Sequence, residues 1–370
     1  MRTAPAVCAC LVLLALAPPR ALAWSYKEHV QLTRIAAARM LADPATPPAM
    51  KDWLRQAVPN TLDMAGERAF LMTVRMGSDP TGFETDGLLY WSYVPDVRAR
   101  TDPRDLKRPP FDVHERLHHF VDLELFQPPE RQRGYRHDLS GKPPIDALPR
   151  DAADPRYKRA GYLPLRVEQC YNELVGAIRD RRLHAPTPPE QEADRTATYW
   201  AGHLAHYLAD NTQPHHASVD YKSQSYFANK RKAPNIHNEV EFRLVDDEHE
   251  DFPELREEYW QLFTRALEDT TDPIESTDPF QATLEVSMIC YDALPLIGLA
   301  AMKAAGQRGT PEDPAGDVAG KFDTEAFMRF RGTYRGKEMS VMEMKALHTA
   351  WAVKRIQRTL RQAWRDATGE

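Results

Sequence analysis

Cysteine is scarce: four occur in 370 residues. Cys8 and Cys10 lie in the N-terminal leader treated below, which leaves Cys170 and Cys290. Two thiols are no disulfide framework. Both sit in helical patterns, Val167-Glu-Gln-Cys-Tyr171 and Met288-Ile-Cys-Tyr291. That setting suits two separate buried thiols or one bridge equally well. No CxxC spacing occurs, so any metal must be held by histidine and carboxylate. Positive charge is also short, at a formal net charge of −6. This argues against affinity built on bulk attraction to nucleic acid. It leaves open a hydrolase that meets phosphate through bound metal, because the metals bring their own charge. Repeats are absent, and strand patterns never recur at regular spacing.

What is present is ordinary globular composition, 42% hydrophobic and 28% charged. The length suits one large domain or two small ones. Residues 1–23 read as a secretory signal peptide: Arg2, the apolar run Ala6 to Ala17, and the A-x-A site Ala21-Leu-Ala23. The run is too short to span a bilayer. A lipoprotein reading of Cys8 and Cys10 yields to the better cleavage site downstream. The expected address is secreted or periplasmic, after cleavage between Ala23 and Trp24.

Hydrophobic spacing predicts a first helix to about Asp43 and a short one over Lys51 to Val58. Residues 76–112 read as a long irregular segment, in which Leu88 to Val94 forms a packed loop delivering Asp96. Residues 127–150, with Pro128-Pro129 and Pro143-Pro144, read as a surface excursion. Further helices are expected over Pro164–Leu183, Glu190–Asp210, Phe252–Asp269, Asp278–Ala305 and Ser340–Thr368, with a Gly/Pro/Asp linker at 306–320. The expected fold class is all-α: a single mainly helical domain, 24–370, with long loops.

The chemistry gathers between Tyr199 and Leu244. His206 and Asp210 are four apart, as are His237 and Glu241. On a helix, that spacing puts an imidazole and a carboxylate on one face, able to grip one cation such as zinc. Asn211-Thr-Gln-Pro214 ends the first helix, and His216 follows beyond the break, able to point back into the same cleft. One such pair is common on ordinary surface helices. Two pairs and His216 within 36 residues are not. His119 precedes Asp122 in His119-Phe-Val-Asp122, with His118 as its rival. His203 suits packing or support better than ligation. His215 and His216 are too close in sequence to serve one metal. His114, His137, His184, His249 and His348 lack a convincing acidic partner and read as surface or core.

These residues resemble the zinc-dependent phospholipase C and S1/P1 nuclease superfamily. Trp24 follows the cleavage site with His29 five residues on. His119-Phe-Val-Asp122 resembles the family's H-F/Y-x-D/N segment. His206-Tyr-Leu-Ala-Asp210, followed by Pro214-His-His216, is similar to the family's histidine–aspartate core. His237-(x)3-Glu241 closes the set. The resemblance covers about residues 24–245. It implies a helical domain with a cleft of three zinc ions. Asp96, His119, His206 and Asp210 would hold the first, and His216, His237 and Glu241 the second. The Trp24 amine and carbonyl, His29 and Asp210 would hold the third, with Asp210 bridging. The gap from Asp96 to His119 exceeds the family's, which leaves Asp105 and Asp112 as alternatives to Asp96. Ala209 stands where the family has Gly, a change a helix tolerates.

The resemblance implies a secreted phosphodiester hydrolase. A zinc-bridged hydroxide would attack phosphorus, and Asp96 would orient the attacking water. Glu241 and Pro214-His-His216-Ala217 are phospholipase-like. The short Trp24-to-His29 spacing is nuclease-like, and Trp91, Tyr93 and Phe120 are available to stack bases. The expected substrate is a phospholipid, with a single-stranded nucleic acid as the alternative. Transient contact with a membrane surface and a monomeric state are expected. A non-catalytic zinc-binding protein is the third reading.

Overall fold

The structure, a computed structural model, describes residues 26–58, 87–127, 148–183, 188–229, 233–245, 252–309, 314–315 and 322–370. Outside these lie residues 1–25, with the expected leader and Trp24, the stretch 128–147 expected as a surface excursion, Lys230-Arg-Lys232, most of the 306–320 stretch expected as a linker, and His137, His184 and His249. The described chain is mostly helical, as expected. Its helices are α1 (Tyr26–Ala42), α2 (Pro48–Ala57), α3 (Leu88–Thr101), the single turn α4 (Tyr157–Ala160), α5 (Leu163–Leu183), α6 (Pro188–Asp210), α7 (Ile236–Glu241), α8 (Pro253–Asp269), α9 (Pro279–Tyr291), α10 (Leu294–Ala304), α11 (Thr324–Arg329) and α12 (Val341–Thr368). Short 3-10 turns at Glu115–His118, Leu123–Phe126, Pro214–Ala217 and Gln224–Tyr226 link them. Arg308–Gly309 (β1) pairs with Pro314–Ala315 (β2), and Arg331–Tyr334 (β3) with Lys337–Ser340 (β4), both antiparallel.

Helix ends follow local chemistry. Ser340 closes a capping box with Glu343 at the start of α12. Asp278 caps α9, with Pro279 in its first turn, where a missing N–H costs nothing. The expected single helix over Asp278–Ala305 is instead two. Pro295, without an N–H, opens α10 just after the turn at Asp292-Ala293. This stretch is long and apolar enough to cross a membrane, but 67% of its most apolar window is buried inside the protein.

α12 is the longest of the described helices and lies at the centre, packed against α1, α5, α6 and α8. Its apolar side carries Met342, Met344, Ala350, Val353, Ile356 and Leu360, all buried. Trp364 stacks on Trp53 of α2 with ring centroids 5.9 Å apart. α5 and α6 pack along each other, and α3 lies across α6. That crossing is close because Gly202 has no side chain. A Cβ there would sit 2.4 Å from Trp91 Cβ and 2.9 Å from the Leu88 carbonyl oxygen.

Two local readings need correction. Leu88 to Val94 is not a packed loop but the first half of α3, which continues through Pro95 to Thr101. Its aromatic run masks a helical period, and burial of Leu88, Leu89 and Ser92 decides the conformation. The β3–β4 hairpin carried too little sequence for alternation to register. Its two-residue turn is Arg335-Gly336, with φ of 48° and 74°, the positive-φ pair such hairpins use. Cys170 and Cys290 are separate, buried free thiols.

Candidate metal centre

Six segments deliver the expected ligands. His29 comes from α1, Asp96 from α3, and His119 from the residue after the Glu115–His118 turn. His206 and Asp210 lie one turn apart at the end of α6. The chain then turns sharply through Asn211-Thr-Gln, and His216 sits in the 3-10 turn that follows. α7 carries His237 and Glu241 one turn apart. All eight side chains are buried, none more than 5% exposed.

Backbone contacts fix the non-helical members. The 117–122 segment is clamped by Tyr162 N–H donating to Leu117 O at 2.6 Å and Asp122 N–H donating to Ala160 O at 2.6 Å. Gly161 permits this approach: its φ is +86°, and a Cβ would lie 2.2 Å from Phe120 O. Val121 N–H donates to His216 O at 2.9 Å, which joins the His119 and His216 segments.

The ligand atoms fall into three groups: His29–His206–Asp210, Asp96–His119–His206, and His216–His237–Glu241. Within each group they lie within 4.8 Å of one another. Asp210 lies between the first two. Its Oδ1 is 3.2 Å from His29 Nε2, and its Oδ2 is 3.0 Å from His119 Nδ1 and 3.2 Å from His206 Nε2. The rings of His29 and His206 stack at 3.8 Å. In the third group, Glu241 Oε1 contacts His237 Nε2 and lies 3.6 Å from His216 Nε2. Trp24, expected beside His29, lies outside the described residues.

Three imidazoles are oriented through Nδ1. That nitrogen donates to Ser92 O from His206 (2.8 Å), to His119 O from His216 (2.7 Å) and to Tyr221 O from His237 (3.1 Å). In the neutral form of each ring, Nε2 is thereby left with its lone pair toward the group, the arrangement metal-bound histidines use. Gln213 Nε2–H donates to Glu241 Oε1 at 3.0 Å. Sequence reasoning missed these supports. Backbone carbonyls carry no residue signature, whereas Gln213 stood inside the turn already singled out.

The electrostatics of the protein alone are divided. Burial pulls the His206 imidazole down, but Asp210 and Asp96 outweigh it and hold it up at about 8. Burial and the neighbouring His206 hold His29 below its ordinary value. Burial raises the Asp210 carboxyl, yet His206 and His29 more than offset this and keep it well below the usual range. Burial drives Glu241 well above the usual carboxylate range, with the charge of Asp96 adding to it.

Cations fit these groups. Both His29 nitrogens, both Asp96 oxygens, His119 Nε2, Asp210 Oδ1 and Glu241 Oε2 are buried without a hydrogen-bond partner. Each such orphan costs about 1–3 kcal/mol. His29 and Asp210 come within ion-pair distance without hydrogen-bond geometry between them. Lone pairs converging in this way suit a divalent cation. The nitrogen and oxygen donors are those zinc takes, and other first-row cations share that preference.

The remaining candidates fall elsewhere. Asp105 and Asp112 are exposed, and Asp112 lies 3.2 Å from Lys107, so neither replaces Asp96. His118 is buried, 3.3 Å from Glu115. Burial pushes it down to about 4 against the pull of that carboxylate. His203 donates to Tyr199 O and stands 3.2 Å from Arg98 Nη1, a packing role. His215 turns to Ser223 Oγ at 2.9 Å and stacks on His237. His348 is a core residue 2.9 Å from Thr212 O. Comparison of the chain with protein-family models, curated proteins and solved structures finds no match.

Proposed function

We propose that the protein is a zinc-dependent phosphodiester hydrolase with a phospholipase C-like substrate preference. The observation that carries this reading is the set of three adjoining buried groups, two of them sharing His206 with Asp210 between them. Zinc held by such groups supplies Lewis acidity toward phosphate oxygens and a nucleophile at neutral pH. His29, Asp96, His119, His206 and Asp210 would hold two ions, with Trp24 completing the shell of His29. His216, His237 and Glu241 would hold the other. Asp96, buried with neither oxygen hydrogen-bonded, orients the attacking water. Asp210 keeps the first two groups at a fixed separation, so that substrate phosphate meets both at once. Burial of every ligand lowers the local dielectric and strengthens their hold on developing charge.

The phospholipid preference rests on the resemblance of Glu241 and Pro214-His-His216-Ala217 to the phospholipase branch of the zinc-dependent phospholipase C and S1/P1 nuclease superfamily. A single-strand nuclease is the second reading. Trp91 and Tyr93, half-buried on α3 shortly before Asp96, favour it as stacking surfaces. One zinc-loaded sample tested on phosphatidylcholine, single-stranded DNA and RNA, with and without a chelator, decides. Chelator-sensitive release of phosphocholine is the expected result. Cleavage of nucleic acid alone replaces the phospholipase reading with the nuclease. Bound zinc with no hydrolysis of any substrate leaves a non-catalytic zinc protein.

A further inference from the structure

One face of α12 makes polar contact with three ligand-bearing segments. Lys345, in its first turns, is fully buried. Its Nζ lies 2.7 Å from Glu28 Oε1, next to His29 on α1. The same ammonium donates to the backbone carbonyl of Glu241 at 3.3 Å, at the end of α7. It also sits 5.3 Å from the centre of the Tyr259 ring. The Tyr259 hydroxyl lies 3.2 Å from Glu28 Oε1 and 3.1 Å from Thr349 Oγ1, one turn further along α12. Between them, His348 Nδ1 donates to Thr212 O at 2.9 Å, inside the turn that separates Asp210 from His216.

We propose that Lys345 is a positioning residue for the metal centre: it ties α1 to α7 and so sets the separation of the His29 and Glu241 groups. The inference rests on the metal reading above and gives the C-terminal helix a task within it. A buried ammonium is costly unless paired and hydrogen-bonded. Glu28 supplies the paired charge, and the Glu241 carbonyl and the Tyr259 ring supply further contacts. A fixed cation held between two ligand segments resists their separation when carboxylates crowd the site. The ammonium meets Glu28, next to His29, and the backbone carbonyl of Glu241, so its effect passes through His29 and Glu241.

The test uses the full chain with zinc as probe. Zinc bound per chain is measured against buffered free zinc, together with thermal melts and helical circular dichroism of the metal-free forms. Glu28→Gln/Lys345→Met removes both charges at similar volume, an exchange that buried ion pairs tolerate without unfolding. We expect the double variant to keep wild-type helicity but to need roughly tenfold more free zinc to fill at least one group, the scale of losses at residues that support metal ligands. Glu28→Gln alone keeps an acceptor for the ammonium and shifts the zinc curve less, in the same direction. A folded double variant with the wild-type zinc curve overturns the proposal, even if its melting temperature falls. If the double variant does not fold, Glu28→Gln decides: a shifted curve supports the role and an unshifted one overturns it. A wild-type chain that takes up no zinc has a different signature. It overturns the metal reading itself, and the positioning role with it.

Discussion

Asp210 is the residue on which the centre turns, because its two oxygens face different imidazoles. Asp210→Asn keeps the shape but places an amide where a charge-bearing acceptor is needed. The variant should lose hydrolysis and more than one zinc per chain, read by elemental analysis. Full zinc content would remove the bridge. His348 offers a pH test away from the ligands. Burial pushes its imidazole down to about 3, so it stays neutral in the fold. The unfolded chain takes up that proton near pH 6.5. The contribution of His348 to stability is therefore complete above pH 6.5 and is lost as pH falls toward 3. The full loss is on the order of 5 kcal/mol. His348→Gln should flatten the slope of stability against pH in that window, measured by urea unfolding. An unchanged slope would assign the acid sensitivity to other groups.

At the scale of elements, the α3–α6 crossing decides whether Asp96 meets His206. Gly202 sets that distance. Gly202→Ala places a methyl 2.4 Å from Trp91 Cβ and 2.8 Å from the Trp91 carbonyl carbon, and backbone cannot yield as a side-chain tip can. Overpacking of this kind costs about 1–3 kcal/mol. It should also weaken zinc binding by separating the two helices, although Gly202 has no side chain to offer a metal. A variant with lowered melting temperature and an unaltered zinc curve would show that the crossing has slack. Ala209 makes the contrasting case. It is fully buried on the same helix one residue before Asp210, and the helix accommodates its methyl there.

For the whole molecule, the proposed zinc reading links metal binding to folding, because the groups assemble only when six distant segments come together. Zinc at about a thousand times its dissociation constant should add about 4 kcal/mol to stability, seen as a chelator-reversible rise in melting temperature. The expected ligand role of Trp24 adds a condition. A free α-amine, with a pKa near 8, can lose its proton and coordinate, whereas a peptide nitrogen does so poorly. A chain beginning at Trp24 should therefore hold more zinc than one carrying an extra residue before it. Equal zinc in both would remove Trp24 from the ligand set.

The sequence by itself determined the helical class, most helix boundaries and the identity of the candidate ligands. Those properties are local: 3.6-residue periodicity, proline and capping residues, and two His-x-x-x-carboxylate pairs whose members meet on one turn of helix. Tertiary structure alone decided what depends on packing between distant segments. Leu88–Val94 became helix because α6 covers it. Asp96, not Asp105 or Asp112, is the acid turned inward. His118, the rival of His119, is buried against Glu115, and Cys170 and Cys290 stay apart. Lys345 on the buried face of α12 looks in sequence like an interruption of an apolar stripe. Its meaning appears only when Glu28 and the Glu241 carbonyl, more than a hundred positions away, arrive on either side of it. Periodicity records which side of a helix is buried, but not what it is buried against.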